Sequence, residues 1–345
     1  MSILAGSVTK VRKQPKNIYA ETISLCPECA KDCQAYYEEK DDGIYLNIEC
    51  SEHRLHSEKV ENDAQFFKQR YEQEYEKDCK HLALPITYRC NLRCKYCYTL
   101  SNSSLLLPED RPIEKLTGMI KSFDGNVTLI GGEATIRKDL LQIIRIAKGI
   151  DSKRKISIAT NGQRLHDINF VKELKESGLD FVFLSFDDIE YEGSQIIHQN
   201  KIEALSNCYK LRMPVWLQRT IDKLPQLDSI FELLEAYKRV IFNVTIRTVK
   251  PFGMLYPKHE IFVSSIIKYL KKENDYRKGG SPFNNYITLK GENVKVCSWI
   301  NDVKRIDPID SNYIISDDTL TPFHRGMKMD EVLLKRRGSK PQLIS

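Results

Sequence analysis

Six short apolar runs, Leu82–Tyr88, Val127–Ile130, Lys155–Ala159, Phe181–Phe186, Val215–Gln218 and Asn243–Thr248, recur through the middle of the chain with amphipathic stretches between them. Runs this short, rich in β-branched and aromatic residues, suit strands buried on both faces. Between them, Lys138–Lys148 puts Leu140, Leu141, Ile143, Ile144 and Ala147 on one helical side. A second helix is expected over about 164–177, stopping at the C-cap Gly178, with others near 196–210, 226–239 and 259–272. Parallel neighbours need a crossover, so six strand–helix units predict an α/β fold with helices outside a parallel sheet. A partial β/α barrel and an open doubly wound sheet both satisfy this pattern.

The flanks divide the remainder. Residues 1–20 carry Lys10, Arg12, Lys13 and Lys16 without an acid and read as a flexible basic arm. Residues 21–56 form a module bearing cysteine and histidine. Over 57–80, Phe67, Tyr71 and Tyr75 recur every four residues, predicting a linker helix whose aromatic face docks on the main body. The body is expected over 81–275. Residues 276–345 are expected to hold a hairpin, Tyr286–Val296 turning around Lys290–Asn293, and a basic tail from 325. The net charge of +6 sits in the two ends, which would suit nucleic acid, although solvated tails are the simpler reading. No run approaches the roughly 18 apolar residues that span a bilayer. Basic residues follow the short N-terminal apolar stretch, the reverse of a secretory signal, so the expected location is cytoplasmic.

Ten cysteines fall in clusters at 26, 29, 33, 50, then 79, 90, 94, 97, then 208 and 297. In a reducing compartment such spacing points to metal rather than to disulfides. Cys90, Cys94 and Cys97 follow the first strand at CxxxCxxC spacing. Three thiolates can hold one face of an iron–sulfur cube and leave one iron open to a cofactor. Buried structural thiols or a zinc site are the alternatives, but Arg89, Asn91 and Lys95 offer no fourth ligand.

At these residues the chain resembles the radical SAM superfamily, whose signature is CxxxCxφC with an aromatic at the position of Tyr96. Gly131-Gly132-Glu133 after the second strand is similar to the family's GGE motif, with Ala134 where proline is common. Thr160-Asn161-Gly162 resembles its TNG, and Ser185-Phe186-Asp187 its SxD. The resemblance covers roughly residues 82–253. It implies a partial (β/α)6 barrel, a 4Fe-4S cluster on Cys90, Cys94 and Cys97, and S-adenosylmethionine bound at the open iron. It further implies that Gly131 and Gly132 let the backbone approach the methionine moiety and that Glu133 accepts from its amino group. Tyr96 would lie near the adenine, Asn161 and Ser185 at the ribose or carboxylate, and Arg219 on the carboxylate. Val249–Gly253 resembles an adenine-flanking turn. An electron donor such as ferredoxin or flavodoxin would be needed.

Cys26-Pro-Glu-Cys29 and Cys50-Ser-Glu-His53 form a CxxC…CxxH pattern. This favours structural zinc over a rubredoxin-like iron centre or bare thiols, on a small N-terminal metal-binding ribbon around Gly43–Asn47. Cys33 and His56 are spare. A module of this type before a radical SAM core looks like the branch holding tetraether lipid synthases and pterin-methylating relatives. Only Cys208 and Cys297 follow Cys97, too few for a C-terminal auxiliary cluster. The expected substrate is therefore a small molecule or lipid-like. A peptide or RNA modifier, and a non-catalytic metal-binding scaffold, are the competing readings.

Overall fold

The computed structural model describes residues 17–26, 31–53, 55–72, 81–94, 96–97, 110–187, 194–248, 261–271, 284–289, 292–297, 312–316 and 319–322. The basic arm before 17, Cys29, Cys79, the Val249–Gly253 turn and the basic tail lie outside them.

The N-terminal module is a four-stranded antiparallel sheet in sequential order: β1 (Ile18–Leu25), β2 (Asp32–Lys40), β3 (Gly43–Glu49) and β4 (His56–Glu61). It is larger than the single hairpin expected, and its first strand starts inside the stretch read as a basic arm. Alternation along β2 and β3 buries Ala35, Tyr37, Ile44, Leu46 and Ile48. The linker helix α1 (Ala64–Tyr71) is capped by Asp63, whose carboxylate accepts from the Phe66 amide at 2.9 Å. Its aromatic face does not dock on the main body as expected. Phe67 and Tyr71 pack against Tyr37 of the small sheet, with ring centroids 5.0 and 5.3 Å away. The other side of the helix, through Phe66, touches the main core. Tyr75 lies outside the described residues.

All six core strands are present: β5 (His81–Thr87), β6 (Asn126–Gly131), β7 (Ile156–Thr160), β8 (Phe181–Ser185), β9 (Val215–Ile221) and β10 (Ile241–Thr248). Between and after them run α2 (Ile113–Ser122), α3 (Leu140–Ile150), α4 (Ile168–Glu176), α5 (Ser194–Leu211), α6 (Asp228–Tyr237) and α7 (Val263–Lys271). The stretch expected as one helix over 164–177 is a 3-10 turn, Gln163–His166, followed by α4. Asp167 divides them by accepting from the Asn169 amide at 2.9 Å and capping α4. Gly178 ends α4, at φ +97°.

The six strands neighbour one another in sequence order and pair in parallel. A doubly wound sheet would reverse direction and carry helices on both faces. Here one strand face (Leu82, Val127, Ile158, Leu184, Leu217, Ile246) and the apolar stripes of α2 to α7 form a single buried cluster. Helices on one face and sequential order give the partial β/α barrel. The expected hairpin, β11 (Asn284–Leu289) and β12 (Glu292–Cys297), extends the sheet, β12 pairing in parallel with β10. At the other edge β13 (Asn312–Ser316) pairs in parallel with β5, and β14 (Thr319–Pro322) follows it. Among the described residues no helix is long and apolar enough to cross a membrane.

Candidate functional site

The strand face opposite the helices lines a cleft of about 180 Å³ at the C-terminal ends of the strands. Strand alternation selects what faces it: Ile130 of β6, Ala159 of β7, Ser185 of β8, Gln218 and Thr220 of β9, and Arg247 of β10. Ligands in β/α architectures bind at this end.

Cys90, Cys94 and Cys97 stand on the loop after β5 and all line the cleft. The Cys97 amide donates to the Cys94 carbonyl at 3.1 Å, and the Leu92 amide to the Cys90 sulfur at 3.4 Å. Burial, reinforced by the neighbouring sulfurs, pushes the Cys90 and Cys94 thiols up to about 12. Three thiolates side by side therefore need a cationic centre among them, which is what an iron–sulfur cluster supplies. The donor set and the adjoining cleft fit such a group.

The loop is held from below. The Gly132 amide donates to the Thr87 carbonyl at 3.0 Å and the Glu133 amide to the Arg89 carbonyl at 2.8 Å. Arg137, 5% exposed, donates to the carbonyls of Ile86 and Arg111 and pairs with Asp139. Glu133 is 1% exposed. Its Oε1 accepts from the Thr135 amide and hydroxyl and from the Thr160 hydroxyl, and its Oε2 from the Asn161 amide at 2.7 Å. Burial raises its pKa against the pull of these donors. The carboxylate thus ties β6 to β7 while still lining the cleft. Asn161 extends the same network, its amide donating to Asn91 Oδ1 at 2.8 Å.

The Tyr96 hydroxyl donates to Asp187 Oδ2 at 3.1 Å, and the Thr220 amide to Asp187 Oδ1 at 2.5 Å. Asp187 thereby links the cysteine loop to β9. The structure brings Tyr96, Gly131, Gly132, Glu133, Asn161 and Ser185 to one cleft. Arg219 is not among them. It falls on the helix-facing side of β9, 0% exposed, and donates to the carbonyls of Phe186 and Gln226 and to Ser229. Odd and even positions on β9 face opposite ways, so Gln218 and Thr220 reach the cleft and Arg219 cannot.

Two cations beside this cleft escaped sequence reasoning. Lys201 of α5 is 1% exposed. Desolvation lowers its pKa, opposed by Asp187, Cys94 and Glu133 nearby. A lysine in an amphipathic helix gives no sequence signal of burial. Arg247 closes the alternating face of β10, a signal that strand parity carried once the register was known.

In the small sheet, Cys26, Cys50 and His53 converge, with His53 Nδ1 3.5 Å from the Cys26 sulfur and 3.4 Å from that of Cys50. Burial opposes ionisation of Cys50, but is outweighed by hydrogen bonds from the Glu52 and His53 backbone and the His53 ring, which bring it to about 6. A low thiol pKa suits a metal ligand. Cys33 is not one of this group; its sulfur donates to the Lys31 carbonyl at 3.4 Å.

Residues 84–254 match the model of the radical SAM superfamily, and residues 18–61 that of the HMPTM N-terminal zinc ribbon domain. The chain is 28% identical over 227 residues to the 7,8-dihydro-6-hydroxymethylpterin dimethyltransferase of Methanocaldococcus jannaschii, covering 55% of this chain and 44% of that one. It is 33% identical over 176 residues to the Fe-coproporphyrin III synthase of Methanosarcina barkeri, covering 48% and 43%. The crystal structure of Streptococcus suis SuiB bound to precursor peptide SuiA overlays with a TM-score of 0.48 at 15% identity, covering 57% of this chain and 45% of that one. The chain spans somewhat under half the length of these relatives.

Proposed function

As an enzyme of the radical SAM superfamily with a zinc ribbon of the HMPTM type ahead of that domain, the chain has a known chemical class, and we propose that it cleaves S-adenosylmethionine reductively and acts on a small-molecule substrate. The observation that carries this is the sharing of one cleft by the three cysteines and the Gly131-Gly132-Glu133 turn. When bound, a 4Fe-4S cluster and S-adenosylmethionine supply a 5′-deoxyadenosyl radical that abstracts hydrogen from substrate.

The chain's own residues bind and orient. Cys90, Cys94 and Cys97 hold iron. Glu133 Oε2, with a single protein donor among the described residues, accepts from the methionine amino group. Asn161 and Ser185 contact the ribose or carboxylate, and Tyr96, fixed by Asp187, flanks the adenine. Cys26, Cys29, Cys50 and His53 hold zinc, which folds the ribbon. A reductant such as ferredoxin or flavodoxin supplies the electron, and metal-ligating thiols suit a reducing, cytoplasmic setting. Support for a small molecule comes from the scarcity of cysteines after Cys97 and from relatives named for a pterin and a porphyrin.

The full chain, reconstituted without oxygen, should hold ~4 iron atoms and ~1 zinc. With dithionite and S-adenosylmethionine it should release 5′-deoxyadenosine. Cys94→Ala should cut iron and product to background, and Cys50→Ser should remove zinc alone. Cluster-loaded protein that yields no 5′-deoxyadenosine would point to the scaffold reading.

A further inference from the structure

We propose that Arg247, with Gln218 and Thr220, is an anion-recognising subsite for the substrate, which therefore carries a carboxylate or phosphate group. This rests on the reading of the cleft given above and names the substrate class.

The geometry of two neighbouring arginines carries it. In the β9–β10 register Arg219 faces Ile246 and Arg247 faces Thr220. Arg219 and Ile246 belong to the helix side and are fully buried; Thr220 and Arg247 belong to the cleft. Arg219 spends its two Nη groups on two carbonyls and a hydroxyl. The Arg247 side chain has neither a hydrogen bond nor an ion pair to any of the described residues. Its Nε is buried without a partner, as are those of Arg154 and Arg219, but the other nitrogens of those two are bonded to carbonyls and those of Arg247 are not. A buried donor left unsatisfied is uncommon in folded proteins and calls for an explanation, an unfilled ligand site being one. A guanidinium fork matches carboxylate or phosphate oxygens bidentately. The Gln218 amide and Thr220 hydroxyl on the same wall add donors for the same oxygens.

Position assigns this subsite to substrate rather than to the cofactor. The groups proposed for the cofactor stand on β5 to β8, at the cysteine loop, the glycine turn, Asn161 and Ser185. Arg247 is on the sixth strand, in register with Thr220, whose amide donates to the Asp187 carboxylate that also holds the Tyr96 hydroxyl. A cofactor held at the cysteine loop and the glycine turn would leave the β9–β10 wall for a second molecule.

The test is calorimetric titration of the cluster-loaded full chain with inorganic pyrophosphate and, separately, malonate, each with and without S-adenosylmethionine. One probe should bind saturably, pyrophosphate indicating a phosphate-bearing and malonate a carboxylate-bearing substrate, and S-adenosylmethionine should not displace it. Arg247→Gln should weaken that probe at least about tenfold, with Arg247→Lys falling between the two. Should Arg247→Gln not fold, Thr220→Val, which keeps the strand and removes one donor, should weaken it about threefold. Absence of saturable binding, unchanged affinity in the variants, or displacement by S-adenosylmethionine each overturns the proposal. Because anion binding is read without turnover, loss of 5′-deoxyadenosine release with intact anion binding would instead count against the broader function.

Discussion

A Cβ built on Gly131 would stand 1.9 Å from the Thr87 carbonyl oxygen, and one on Gly132 2.3 Å from that of Arg89. Both glycines were expected to make room for a bound methionine. The nearer obstacle is the chain's own backbone, because the glycine turn lies flat against the base of the cysteine loop, with Gly131 at φ +153°. Gly132→Ala must push the loop off the strand ends. It should destabilise by about 3 kcal/mol in urea titration and lower the iron retained per chain, even though no ligand is touched. The cysteines, the glycine turn, Asn161 and Ser185 were legible as residues because their spacing and place after strands repeat a family pattern. The direction of an arginine was not. Arg219 and Arg247 look equivalent as strand-end cations in sequence, and only their parity in the sheet separates a buried brace from a cleft-lining cation.

At the scale of elements, apolar runs marked every core strand to within two or three residues, since burial on both faces leaves a dense signature. Joins between elements were less visible. Asp180, after the turn that ends α4, pairs with Lys148 of α3 at 2.6 Å and with Lys155 at 3.2 Å, and accepts from the Ile156 amide at 2.7 Å. Burial pushes its pKa up, but the lysines and the amide outweigh it and hold the carboxyl below its usual range. A depressed carboxyl contributes stability present above its unfolded pKa of ~3.9 and lost as pH falls through its folded value. Asp180→Asn should thus cost about 1 kcal/mol in urea unfolding at pH 7, and the gap from the parent should close towards pH 2. A gap that stays constant with pH would mean that the charge is not what joins these elements.

Across the whole molecule, the ribbon and the barrel meet through a buried carboxylate. Glu61, 3% exposed at the end of β4, accepts from the Ser264 hydroxyl at 2.5 Å and its amide at 3.2 Å on α7. Lys268 adds an outer pair to Asp63 at 3.0 Å. Glu61→Ala leaves the Ser264 amide without its acceptor, the hydroxyl keeping Asn62 Oδ1 at 2.7 Å, and should cost about 1 kcal/mol, read as earlier melting and faster proteolysis between ribbon and barrel. Glu61→Gln, which keeps a carbonyl acceptor, should lose less. Nothing in the sequence announced this contact, which spans some two hundred residues. The sequence by itself determined the six core strands and most of the helices between them, because periodicity and burial act locally. It also determined which side chains could ligate metal, because thiol spacing is a property of the chain alone. The tertiary structure decided that the strands stay in sequential order with helices on one face, making a barrel rather than a doubly wound sheet. It also decided that β12 and β13 extend that barrel, and which alternate residues face the cleft. Those outcomes depend on pairing between distant strands, and strand register is an energy of the assembled sheet that no single segment contains.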